Sequence, residues 1–300
     1  MHPRDRLRFA GTSTNYRKIV DKNYKIFPRE SVIALKLDAN TSGEAKFELW
    51  MRDEKHMDVS NTPNRKFHVP KSSLRLVLAG FQVQKCLKLQ IYDTVRSYNE
   101  VVDIVSETAS SITQLELELS HAYSHIRIRK NNKKLSTKHL EEFASKFPNL
   151  SSINLSGWTR DITGNGLAIV RQMKCCHRVD IDSSLRISFN DKALDVIAKK
   201  SSKKDPIKEV IMYGPTHKFS LNALISFLQN GNFEDRANLH LSIVNATLTQ
   251  VREALFNRPI DSLVVEKGGD DDDFYIYKGK DKYYLWVEVN EHGEDSSDSD

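Results

Sequence analysis

Six times from residue 115 onward the same short phrase returns: two apolar residues flanking one polar or variable residue. The copies centre on Leu115 and Leu117, Ile153 and Leu155, Val179 and Ile181, Val210 and Met212, Leu239 and Leu241, and Leu263 and Val265. A weaker copy sits upstream at Leu87 and Leu89, and the steps between first anchors are 28, 38, 26, 31, 29 and 24 residues. Side chains alternate along a strand, so both anchors of a copy face one way and the residue between them faces the other. Recurrence at this period is how a strand-plus-helix solenoid reads, and such solenoids serve as extended binding surfaces.

Amphipathic helix candidates fill the intervals, at 99–110, 136–147, 164–174, 190–201, 220–231 and 247–258. Ser136, Asn190, Ser220 and Thr247 stand where N-caps are expected, with no full capping box read at Ser220 or Thr247. Strands alternating with helices of this length imply a parallel sheet. Upstream, residues 5–21 read as a helix. SVIALKLD and AKFELWM read as a hairpin, and KFHVP and SLRLVLAG as two further strands around Pro70. After Asp270–Asp273, alternating aromatic and polar residues around Gly279 read as a β-hairpin that caps the last repeat. The closing EHGEDSSDSD is too polar to build a core and is expected to be disordered.

The 39% hydrophobic content of the 300 residues suffices for a sizeable core. No apolar run reaches membrane-spanning length, and the basic N-terminus lacks the apolar core of a secretory signal. The three cysteines give no disulfide framework, which suits a reducing compartment, cytoplasmic or nuclear. From Gly268 onward, 11 acidic residues against three lysines give −8, leaving +13 on the preceding residues. A basic body with an acidic tail raises nucleic-acid binding, but no long basic run or nucleic-acid motif accompanies it.

The search for chemistry returns little. GNG at 164–166 lacks the further glycine or Lys-Ser/Thr of a phosphate cradle. Cys175 and Cys176, followed by His177, invite a metal reading, but the two cysteines would face opposite ways on a strand and no second Cys/His pair lies at finger-like spacing, so no metal site is expected. Asp270–Asp273 lacks the alternating ligands of a calcium loop. No histidine has a nucleophile at a recognisable motif spacing, and no cofactor or catalytic residue is assigned. Trp158 and Trp286 read as packing residues, with Trp158 also a candidate binding anchor at a loop tip.

Pro3, Asp5, Arg6, Leu7, Phe9, Ser13, Tyr16, Ile19 and Val20 follow the pattern of the second half of an F-box. The opening Leu-Pro-x-(Glu/Asp) helix of that motif is not in the sequence. The chain as a whole resembles the nematode class of F-box proteins, which join a short F-box to a leucine-rich-repeat-like C-terminal region. The resemblance implies a substrate receptor of a cullin–RING ubiquitin ligase. Pro3, Leu7, Phe9, Tyr16 and Val20 would bind the Skp-family adaptor, and the repeats would select a target.

The expected fold is therefore α/β: a leucine-rich-repeat-like solenoid arc with a parallel sheet. Its parts are a partial F-box (1–24), a strand-rich connecting segment (25–82), the solenoid (83–268), a hairpin cap (269–290) and an acidic tail (291–300). The outward strip of the strands carries Glu116, Glu118, Asn154, Asp180, Asp182, Ile211 and Tyr213, the candidate target-binding residues. Its acidic character suits a basic target protein. The alternatives are a solenoid interaction module without ligase linkage and, less favoured, nucleic-acid binding by the basic body.

Overall fold

The computed structural model describes residues 29–39, 44–50, 63, 65–92, 95–120, 135–157, 162–257, 263–267, 273–278 and 281–290. The chain is α/β, with mostly parallel strands, and divides into two compact units. The first comprises Met1–Leu150 with Leu155–Asp161, the second Ser151–Asn154 with Ile162–Asp300. The expected helix over residues 5–21 lies outside the described residues.

In the first unit, β1 (Glu30–Asp38), β2 (Glu44–Trp50) and β3 (Arg65–Pro70) form an antiparallel meander. A 3-10 turn, Lys71–Ser73, leads into α1 (Leu74–Leu78), followed by β4 (Phe81–Tyr92), α2 (Val95–Thr108), β5 (Gln114–Ser120) and α3 (Thr137–Ser145). The strands lie in the order β3-β2-β1-β4-β5, with β1, β4 and β5 mutually parallel. Leu37, Leu89 and Leu117 share one register row, and each is at most 1% exposed. The repeat phrase thus begins at β1, a copy the anchor pattern did not count because strands rather than a long helix separate it from β4.

SLRLVLAG is not the expected strand. Its core is α1, which buries Leu74, Leu76, Val77 and Leu78. Leu74, Leu76 and Leu78 fit a two-residue period, whereas Leu74, Val77 and Leu78 fit a helical face, and a short apolar run does not separate the two. Packing decides for the helix, which follows Pro70 and ends at Leu78, with Ala79 as its C-cap ahead of Gly80.

The second unit holds β7 (Thr163–Asn165), α4 (Leu167–Gln172), β8 (Arg178–Ile181), β9 (Arg186–Ser188), α5 (Asp191–Lys200), β10 (Ile207–Met212), α6 (Leu221–Asn230), β11 (Phe233–Val244) and α7 (Leu248–Asn257). Then come β12 (Leu263–Lys267), β13 (Asp273–Lys278) and β14 (Asp281–Asn290). The residues of β6 (Ser152–Gly157) are divided between the units. The main strand order is β8-β10-β11-β14-β13-β12, while β7 and β9 pair separately. β8, β10, β11 and β14 are parallel; β12, β13 and β14 form an antiparallel meander.

Here the structure corrects the expected order. The copy at Leu263 and Val265 was to continue the parallel series, but β12 pairs antiparallel with β13. The place beside β11 goes to β14, whose Leu285 and Val287 align with Leu239 and Leu241. Tyr283, Leu285 and Val287 are all buried, so this strand carries its own apolar phrase. It pairs over seven positions, from Asn238↔Tyr284 to Val244↔Asn290. The β13–β14 hairpin around Gly279 forms as expected, but its second strand enters the parallel series.

Side chains start the helices. Asn190 Oδ1 accepts the Lys192 N–H at 3.2 Å, and Ser220 Oγ accepts that of Ala223 at 3.2 Å. At Thr247 the box is complete, contrary to expectation: Gln250 N–H donates to Thr247 Oγ1 and Thr247 N–H to Gln250 Oε1. Gln250, three residues past the cap, already carried that signal.

Candidate functional site

The same alternation that buries the anchors of the second unit turns an opposing set of side chains out of the sheet. β8 contributes Arg178 and Asp180; β10 contributes Glu209 and Ile211, with Tyr213 just beyond its end; β11 contributes Asn238, His240 and Ser242; β14 contributes Tyr284, Trp286 and Glu288. Register stacks them into rows. Asp180, Ile211, His240 and Trp286 form one, and Arg178, Glu209, Asn238 and Tyr284 another.

Three rings meet at the middle of this face. His240 and Trp286 lie with centroids 3.9 Å apart, and Tyr213 approaches His240 at 5.0 Å and Trp286 edge-on at 6.1 Å. All three are half-buried, so ring surface is held rigidly yet remains accessible. The aromatic field continues onto β13. There the Lys282 ammonium lies 3.9 Å from the centre of the Tyr275 ring, and Tyr275 approaches Tyr284 at 5.8 Å.

Carboxylates frame the rings. Arg178 Nε contacts Glu209 at 2.6 Å and its Nη2 contacts Asp180 at 3.2 Å, while Asn154 Nδ2 donates to Asp180 at 2.8 Å. Burial, joined by Asp180 and opposed by Arg178, pushes the Glu209 carboxyl above its ordinary range. On the other flank Glu288 Oε2 accepts from the Gly214 N–H at 2.8 Å and from the fully buried Ser242 hydroxyl at 2.5 Å. Gly214 adopts φ +101°, a left-handed conformation that favours glycine, and its N–H donates to Ser242 Oγ at 2.7 Å as well as to Glu288 Oε2.

Of the expected target-binding residues, Glu116 and Glu118 lie in the first unit, and Asn154, Asp180, Asp182, Ile211 and Tyr213 in the second. The strip is not a row of bare carboxylates. Lys88 Nζ pairs with Glu116 at 2.8 Å, Gln90 bonds Glu118, and Asp182 Oδ1 accepts the Ser184 N–H at 2.9 Å. The adaptor residues Pro3, Leu7, Phe9, Tyr16 and Val20, and the candidate anchor Trp158, lie outside the described residues.

Sequence reasoning placed His240 on the outward side but missed Trp286, Tyr284 and Glu288 as parts of the face. The alternation in KYYLWVEV already separated Tyr284, Trp286 and Glu288 from Tyr283, Leu285 and Val287. What it lacked was the neighbour: only pairing with β11 sets Trp286 beside His240. The metal reading likewise weighed Cys175 and Cys176 beside His177, whereas folding gathers Cys175 and His177 with Asp205. Among the described residues no helix is long and apolar enough to cross a membrane. Neither a protein-family model nor a curated protein matches the chain.

Proposed function

We propose that the chain is a non-catalytic recognition protein, a leucine-rich-repeat-like solenoid that holds a basic, partly apolar segment of a target protein on the sheet face of its second unit. The observation that carries this reading is the cluster of Tyr213, His240 and Trp286, set among Asp180, Glu209 and Glu288. Half-exposed aromatic rings supply binding energy at small entropic cost, and indole is the best face for a cation. An arginine or lysine laid over Trp286 would have carboxylates on either side, and an apolar neighbour would meet Ile211.

By its resemblance at residues 3–20, the chain would carry that target to the Skp-family adaptor of a cullin–RING ubiquitin ligase. The second reading is the same recognition module without ligase linkage. The face itself supports either.

The full chain, titrated against peptides that alternate arginine with aromatic residues, should bind in the micromolar range. Trp286→Ala should weaken binding about tenfold, the ~1.4 kcal/mol expected of one cation–π anchor. Unchanged affinity in that variant, or tighter binding to generic RNA with a steep loss in salt, would overturn the reading. Ligase linkage is tested separately: co-purification with the adaptor should disappear in a Leu7→Asp/Phe9→Asp double variant.

A further inference from the structure

Away from the aromatic face, at the edge where β8 and β10 begin, three side chains of different chemistry converge. Cys175 Sγ, a ring nitrogen of His177 and a carboxylate oxygen of Asp205 all lie within 4.8 Å of one another. We propose that these residues form a binding site for a single zinc-type divalent ion, holding the segment before β10 to the segment before β8. The inference is independent of the recognition function proposed above.

Cys175 and His177 lie two residues apart in the bend that leads into β8, and folding brings their ligand atoms together with that of Asp205. The His177 backbone is tied into the sheet: its N–H donates to the Ser151 carbonyl at 2.8 Å, and its own carbonyl accepts the Lys208 N–H at 2.8 Å. Its ring is oriented as a ligand would be. Nδ1 lies 2.7 Å from the Pro206 carbonyl, an acceptor only, so Nδ1 donates there and, in the neutral imidazole that a metal takes, Nε2 carries the lone pair. This is the outer-shell carbonyl contact that metal-binding histidines use to set tautomer and direction. The freed Nε2 faces Asp205 Oδ1 at 3.7 Å, too long for a hydrogen bond and close to the spacing of two ligands around one ion.

Asp205 is presented by a tight turn. Its N–H donates to Ser202 Oγ at 3.0 Å, and its carbonyl accepts the Ser202 N–H at 3.1 Å. The thiol is buried among these groups, and burial, together with the Asp205 charge, raises its pKa. A bound dication reverses that preference by stabilising the thiolate, and the thiol proton passes to solvent. Thiolate, carboxylate and neutral imidazole then balance the two positive charges of the ion. Soft sulfur with imidazole and carboxylate suits zinc, and cobalt(II) can replace it as a visible probe. His177 and Asp205 are 21% and 45% exposed at their side chains, so an ion has a path in and water can complete a fourth position.

The test uses the full chain, freed of metal under reducing conditions and titrated with cobalt(II) and then zinc. One equivalent of cobalt should raise a thiolate-to-metal charge-transfer band that zinc abolishes, and zinc should raise the melting temperature. Cys175→Ser should remove the band. Asp205→Asn, on an exposed turn where folding is not at stake, should weaken binding about tenfold or more. Cys176→Ser should leave the band in place. No band in the wild-type chain would overturn the proposal. So would a band that survives Cys175→Ser, or unchanged zinc affinity in Asp205→Asn.

Discussion

His217 sits in the loop after β10 at 0% exposure, against the rings of Phe189 and Phe219. Neither ring nitrogen has a hydrogen-bond partner among the described residues. Burial therefore disfavours the charged imidazolium and holds the pKa at about 4, below the ordinary 6.5. Between those values the unfolded chain binds a proton that the folded chain does not, so stability falls as pH drops from 6.5 toward 4. At about pH 5 the unfolded state gains a factor of ~33 from protonation and the folded state ~1.1, a difference of about 2 kcal/mol. His217→Leu keeps similar volume and cannot titrate. Urea midpoints of both proteins at about pH 7.5 and pH 5 isolate the histidine, because every other titrating group is common to the two. The wild type should lose about 2 kcal/mol more than the variant between those conditions. At neutral pH the variant should be at least as stable, since two unpaired nitrogens have gone. An equal pH dependence in the two proteins would refute the argument.

Two further outcomes rest on packing. Leu241→Ala, at a fully buried anchor between β10 and β14, should cost ~2–5 kcal/mol in urea unfolding, whereas the outward-facing Asn238→Ala should cost well under half of that. Gly157 adopts φ +153°, and a Cβ there would lie 2.2 Å from the Leu119 carbonyl oxygen. Gly157→Ala should therefore lower the melting temperature by several degrees, the effect of ~1–3 kcal/mol of backbone strain, and an unshifted transition would show that the strand end yields freely.

The candidate face shows where reading residues stops. Asp180, Ile211 and Tyr213 could be assigned to the outward side from alternation alone, because which side a strand residue takes is written in its immediate neighbours. Their chemistry could not. Asp180 gains its character from Asn154, 26 positions away, as well as from nearby Arg178, and Tyr213 from His240 and Trp286, 27 and 73 positions away. Cys175 and Asp205 meet for the same reason: neither is near the other in sequence, and β8 and β10 bring their preceding loops together.

By itself, the sequence determined the alternating strands, their buried anchors, most of the helices between them and the caps at Asn190, Ser220 and Thr247. Those features depend on local period and local hydrogen bonding, which each segment carries within itself. Only the tertiary structure decided that SLRLVLAG coils, that β1 joins β4, and that β14 rather than β12 lies beside β11. Apolar strands of equal length offer the same backbone ladder to any neighbour. The choice among them falls to whichever pairing buries the most side chains at once, a property of the whole sheet that no single segment encodes.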